Sequence, residues 1–186
     1  MFGSTAIAAF TTAMRVDQLV SQSLLALGAA AATFTAQNYG AGKMKRIREG
    51  ARASVLIAFI ISIFCAVFVL TLGETVVNLF MDVKNEEVTR LAMQYLHIII
   101  IFFFFLVLLL IYRNILQGMG NVMAPLFSGI AELIMRALAA FKLGEILGYT
   151  GICLATPAAW ISAAIVLYVG YKISLMKNLK KLRKTA

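Results

Sequence analysis

The sequence predicts an all-α integral membrane protein, a bundle of five transmembrane helices, on three observations. Apolar stretches long enough to cross a bilayer fill most of the 186 residues. The composition is 62% hydrophobic and 13% charged, with a mean hydropathy of +0.92, where soluble domains carry about a quarter charged residues. The basic residues collect in alternate gaps between the apolar stretches. A water-soluble fold of this composition would expose large apolar patches and aggregate, a penalty that lipid removes.

An α-helix needs about 20 mostly apolar residues to cross the hydrocarbon core. Five segments qualify, and helices are expected at about 4–38, 51–72, 88–116, 123–143 and 151–175. The first runs to Tyr39-Gly40-Ala41-Gly42, where glycines permit the positive φ that closes a helix. It lacks a basic leader and is interrupted by Arg15 and Asp17, so it belongs to the fold and is not a cleaved signal peptide. Small residues at Ala26, Gly28, Ala29, Ala30 and Ala32 permit close helix contact.

A basic amphipathic stretch over 43–52 is expected to follow along the membrane interface, where it attracts anionic lipid. The second helix then crosses at 51–72. In the third, the phenylalanines at 102–105 surround the helix completely, which fits lipid and interhelix packing. Asn121 caps the fourth helix and Pro125 sits in its first turns, where a missing N–H is harmless. Pro157, one to two turns into the fifth, is either structural or the site of a bend. Tyr95, Tyr149 and Trp160 are candidate interfacial anchors. Residues 176–186 form a basic tail.

Short cytoplasmic gaps retain Lys and Arg during insertion, so their bias sets orientation. Lys43, Lys45, Arg46, Arg48 and Arg52 follow the first helix, and Lys172, Lys177, Lys180, Lys181, Arg183 and Lys184 mark the C-terminal end. Both belong inside. The gap at 73–88 holds Glu74, Asp82, Glu86 and Glu87 against Lys84, and 142–150 holds Lys142 and Glu145. Both belong outside. The expectation is a multi-pass protein of the plasma membrane, the inner membrane of a cell with two, with the N-terminus outside and the C-terminus cytoplasmic.

The net charge of +9 is carried at helix ends, with no aromatic or Gly-rich surface interleaved, so nucleic acid is not an expected partner. Membrane lipids are. Cys65 and Cys153 lie inside apolar stretches without partners at ligand spacing, so no metal site or disulfide framework is implied. No Ser/His/Asp set or phosphate-cradling loop is present, so neither an enzyme nor a bound cofactor is expected. His97, near the outer end of the third helix, is the single histidine.

Ionised side chains cost about 2.5–3.5 kcal/mol at the bilayer centre on insertion scales, so those found there usually face protein or an aqueous cavity. Glu132 and Arg136 are one turn apart on the fourth helix and can neutralise each other. They either lock helices together or belong to a proton, sodium or substrate path. Arg15 and Asp17 are two residues apart, about 200° around the helix, and cannot pair well. Asp17 facing a cavity could bind a cation or exchange a proton; the alternative is that both side chains snorkel to the outer interface. Gln18, Ser21 and Gln22 continue the polar surface, which makes the first helix the leading candidate for lining a cavity.

Many secondary transporters consist of two repeated bundles that rock around a midplane site, and five helices amount to one such bundle lacking its first helix. Six strings make the comparison specific: AIAAFTTAMRVDQ (6–18), LGAAAATFTAQNYGAGKMKRI (27–47), GETVVNLF (73–80), RNILQGMGN (113–121), SGIAELIMRALAAF (128–141) and LGYTGICLATPAAW (147–160). In order and over almost the whole chain, they resemble the MATE family, the multidrug and toxic compound extrusion transporters. The resemblance is to the C-terminal lobe from its second helix through its sixth.

It implies most of one six-helix lobe of a two-lobed antiporter that exports drugs and organic cations in exchange for sodium ions or protons, with the missing N-terminal lobe as partner. Arg15, Asp17, Gln18, Gln22, Glu132 and Arg136 are then the candidate substrate- or ion-binding residues. Some members carry an ion-binding carboxylate in the third of these helices, but residues 91–116 here contain no Asp or Glu, so sodium and proton coupling both stay open. Related flippases for lipid-linked glycans share the two-lobed plan and provide the alternative function, with a non-transporting membrane scaffold as a second.

Overall fold

The computed structural model describes the backbone of residues 3–81 and 85–185, with side chains as far as residue 178. Asp82 and Lys84, and the side chains of Lys180, Lys181, Arg183 and Lys184, lie outside the described residues. Five helices follow in order: α1 Ser4–Gly40, α2 Met44–Leu79, α3 Glu86–Gly118, α4 Met123–Leu147 and α5 Tyr149–Thr185. Four are individually long and apolar enough to cross a membrane, and bent α3 makes the fifth. The protein is a multi-pass membrane protein.

The hub is α3, which packs against α1 and α2 on one side and α5 on the other; α4 lies mainly on α5. Sequence explains the choice. Tyr95, Leu96, Ile99, Phe103, Leu110, Ile115 and Leu116 of α3 are all buried, so this helix presents large apolar groups to several neighbours at once. By contrast, α4 buries Ser128 and Ala139 and leaves Leu126, Phe127, Ile130, Leu133, Ile134, Leu138 and Phe141 exposed. In water that surface would drive aggregation, whereas in lipid it costs nothing.

A bend of 58° divides α3 between Ile101 and Phe103. Neither proline nor glycine lies there. The bend coincides with the phenylalanine run, whose rings grip different neighbours: Phe103 meets Trp160 of α5 at 6.3 Å, and Phe104 meets Phe59 of α2 at 5.9 Å.

Several expectations need correction. The basic stretch over 43–52 is not a separate interfacial segment before a helix at 51–72, because α2 begins at Met44 and runs through it to Leu79. Met44, Ile47 and Ala51 are buried while Lys45, Arg46, Arg48 and Arg52 are exposed, so the amphipathic spacing was read correctly but belongs to the first turns of α2. The gap at 142–150 closes to Gly148, whose φ of 61° makes the turn. Gly151 lies so close to the Leu143 carbonyl that a side chain there has no room.

The tail at 176–186 is also helical as far as Thr185, since Lys, Leu and Arg are good helix formers and no Gly or Pro interrupts them. Tyr95 and Trp160 are not interfacial anchors: they are 1% and 5% exposed. Asn121 does cap α4, its Oδ1 accepting the Ala124 N–H at 3.1 Å.

Two hydrogen bonds bring the basic ends together. The Tyr39 hydroxyl, at the end of α1, donates to Asn178 Oδ1 of α5 at 3.3 Å, and the Asn121 amide in the α3–α4 turn donates to Ser174 Oγ at 2.8 Å. The positive residues flanking α1, α2 and α5 therefore share one end of the bundle.

Candidate functional site

Glu132 and Arg136 pair as their spacing requires, with Arg136 donating to Glu132 Oε1 at 2.9 Å. A third member is added by the fold. Arg113 of α3 donates to Glu132 Oε2 at 2.8 Å, so one carboxylate sits between two guanidinium groups and joins helices that otherwise touch little. Spacing does not reveal Arg113 as a partner of Glu132, because a separation of 19 residues carries no periodic signal. The cluster is partly buried, with Glu132 21% and Arg113 29% exposed. Arg113 Nε is buried without a hydrogen-bond partner among the described residues.

The other four nominated residues lie on α1. Arg15, Gln18 and Gln22 are exposed, together with Thr11. Steps of four, three and four residues keep all four on one face of a helix. This polar stripe points away from the bundle, where a membrane helix of ordinary lipid contact would be apolar.

Asp17 is turned elsewhere and half-buried, accepting a hydrogen bond from the Ser21 hydroxyl at 3.4 Å. Among the described residues, neither Arg15 nor Asp17 forms an ion pair.

The structure thus gives two groups, and no hydrogen bond or ion pair links them among the described residues. The ring of Tyr95, buried on α3, packs edge-on against Phe10 of α1 at 5.1 Å. Nothing in the sequence marked Tyr95 as buried, because a tyrosine near the end of an apolar helix reads equally well as an interfacial anchor.

Chemically, the two groups differ. Glu132 is paired with two arginines, whereas the Asp17 carboxylate accepts a hydroxyl hydrogen bond and pairs with no cation among the described residues.

A cavity of about 1030 Å³ lies away from both groups, between the C-terminal end of α2 and the start of α3. Glu74, Asn78, Glu86, Thr89, Arg90 and His97 line it, and none of the six nominated residues does. Asn78 and Thr89 are tied across it at 2.9 Å.

The model of the MatE family matches residues 1–142 of this chain. Comparison with curated proteins gives no match. Among solved structures, an inward-facing multidrug resistance MATE family transporter of the MOP superfamily superposes with a TM-score of 0.85 at 21% identity, over 95% of this chain and 43% of that one. An outward-facing structure under the same description gives 0.87 at 21% identity, over 96% and 40%. A MOP superfamily transporter from Pyrococcus furiosus, described as having a binding pocket of reverse polarity, gives 0.86 at 19% identity, over 95% and 40%. The chain therefore has the fold of a part of these proteins and spans less than half of their length.

Proposed function

This chain belongs to the MatE family, and from that premise we propose that it is part of a secondary active antiporter that exports drugs or other organic cations in exchange for sodium ions or protons. The observation that carries the proposal is the exposed stripe Thr11, Arg15, Gln18 and Gln22 on a membrane helix, with Asp17 beside it and no cation neutralising that carboxylate among the described residues. Polar groups at this depth are favourable beside a water-filled cavity and unfavourable beside lipid. A second bundle, corresponding to the missing N-terminal lobe, supplies the opposite wall.

Coupling then has a physical basis. A sodium ion or proton at Asp17 removes the negative charge that would otherwise hold a cationic substrate. Because the two access states hold that charge in different surroundings, occupancy shifts their balance, as any coupled switch requires. Rocking of one bundle against the other exposes the site alternately. The Arg113–Glu132–Arg136 cluster keeps α4 registered on α3 while this happens. In this reading the protein sits in the plasma membrane, with the basic end of the bundle in the cytoplasm.

The test uses the full-length protein in vesicles, with a fluorescent cationic dye and imposed sodium or proton gradients. Asp17→Asn is expected to lower gradient-driven efflux about tenfold, the loss of one charge-assisted interaction, without changing membrane abundance. Unchanged coupling at equal abundance removes Asp17 from the site.

A further inference from the structure

At the basic end of the bundle, α2, α3 and α5 enclose a cleft of about 390 Å³ lined by Arg48, Arg52, Lys172 and the tyrosines Tyr112, Tyr168 and Tyr171. The tyrosines form one aromatic cluster, with Tyr112 centred 5.0 Å from Tyr171 and 5.5 Å from Tyr168. Lys172 lies 5.4 Å over the Tyr168 ring. Among the described residues, no carboxylate lines this cleft and none of the three hydroxyls has a hydrogen-bond partner. Three cations and three hydroxyl donors thus line one cleft with nothing anionic among the described residues to satisfy them.

A second cavity of about 310 Å³ shares Arg52 and Tyr112 with the first and continues along α2 and α3 between Val55, Leu56, Phe59 and Phe104. It is apolar and opens sideways towards lipid: Leu56, Phe59 and Phe104 are 60%, 40% and 43% exposed. From Arg52 to Phe59 the groove rises about 10 Å along the helix, room for the upper part of an acyl chain.

We propose that the joined cleft and groove form a binding site for one anionic phospholipid, its phosphate held by Arg48, Arg52, Lys172 and the tyrosine hydroxyls and an acyl chain laid between α2 and α3. Arginine forks and hydroxyls match phosphate oxygens in charge and geometry. Basic pockets between helices at the cytoplasmic side suit lipid headgroups. The adjoining groove distinguishes a lipid from a free anion, which has no use for it. The lipid would clamp three helices at one end. This inference rests on the membrane-spanning fold and is independent of the transport reading.

The whole chain, purified in detergent, is titrated with phosphatidylglycerol and bound lipid is counted by native mass spectrometry. The triple variant Arg48→Gln, Arg52→Gln, Lys172→Gln is expected to weaken the first binding event about tenfold or more. Lys43→Gln, Arg46→Gln, Lys177→Gln removes equal charge at the same end outside the cleft and is expected to change it by less than about threefold. Equal losses in both variants overturn the site in favour of diffuse attraction. Displacement of the lipid by millimolar inorganic phosphate, or equal affinity for phosphatidylcholine, also overturns it.

Should the triple variant not fold, the wild-type chain decides. Phosphatidylglycerol with a photoreactive acyl chain is expected to label peptides containing 55–59 or 104, and labelling confined to other helices contradicts the proposal.

Discussion

Glu132 carries two guanidinium groups, yet the two bonds do different work. Arg136 reaches it from one turn along the same helix, with its own side chain 40% exposed. An ion pair of that kind contributes about 0.3–0.5 kcal/mol. Arg113 reaches it from another helix, less exposed and at shorter range, and loss of such a charge-assisted bond costs about 1.5–3 kcal/mol. Arg113→Gln is therefore expected to lower the thermal unfolding midpoint of the detergent-solubilised chain more than Arg136→Gln does. The reverse order would show that the link between α3 and α4 lies elsewhere. At this scale the i,i+4 pair was legible because helix geometry fixes it, whereas Arg113 and Tyr95 gain their meaning from contacts between helices that spacing does not encode.

Helix contacts depend on a few positions where backbones touch. A Cβ on Gly118 of α3 would lie 2.5 Å from the Ala32 carbonyl oxygen of α1, and backbone cannot step aside as a side chain can. Gly129 of α4 has open space around it. Gly118→Ala is expected to destabilise the chain by about 1–3 kcal/mol through overpacking. Gly129→Ala is expected to be neutral or stabilising by up to about 1 kcal/mol, since alanine favours helix. Equal melting temperatures for the two variants would contradict the α1–α3 packing. Of the small residues expected to permit close contact on α1, Gly28 and Ala32 meet α3, whereas Ala26, Ala29 and Ala30 are exposed. Helix ends were less legible: bilayer thickness measures the apolar part of a span, and nothing obliges a helix to stop where its charges begin. That is why α2 reaches back through Lys45 to Arg52 and α5 continues beyond Asn178.

For the molecule as a whole, fold class and family were written in the chain: hydrophobic length marked it as membrane-spanning, and five of the six strings fall within the residues that the MatE family model matches. How the polar groups divide was not written there, because the α1 stripe, the α4 cluster and Tyr95 lie on three different helices, α1, α4 and α3. The stripe on α1 and the apolar face of α4 both look outward, and in the proposed transporter the first would face a cavity and the second lipid. Central to the proposed function is an orientation with the basic end of the bundle in the cytoplasm and the acidic end outside. Cysteine mapping in the full-length protein tests it most directly, with Cys65 and Cys153 changed to alanine and single cysteines placed by Glu87→Cys, Lys45→Cys and Lys177→Cys, all exposed positions. A membrane-impermeant thiol reagent applied to intact cells should label Glu87→Cys at once and the other two only after permeabilisation. Labelling of all three from the same side would contradict the account.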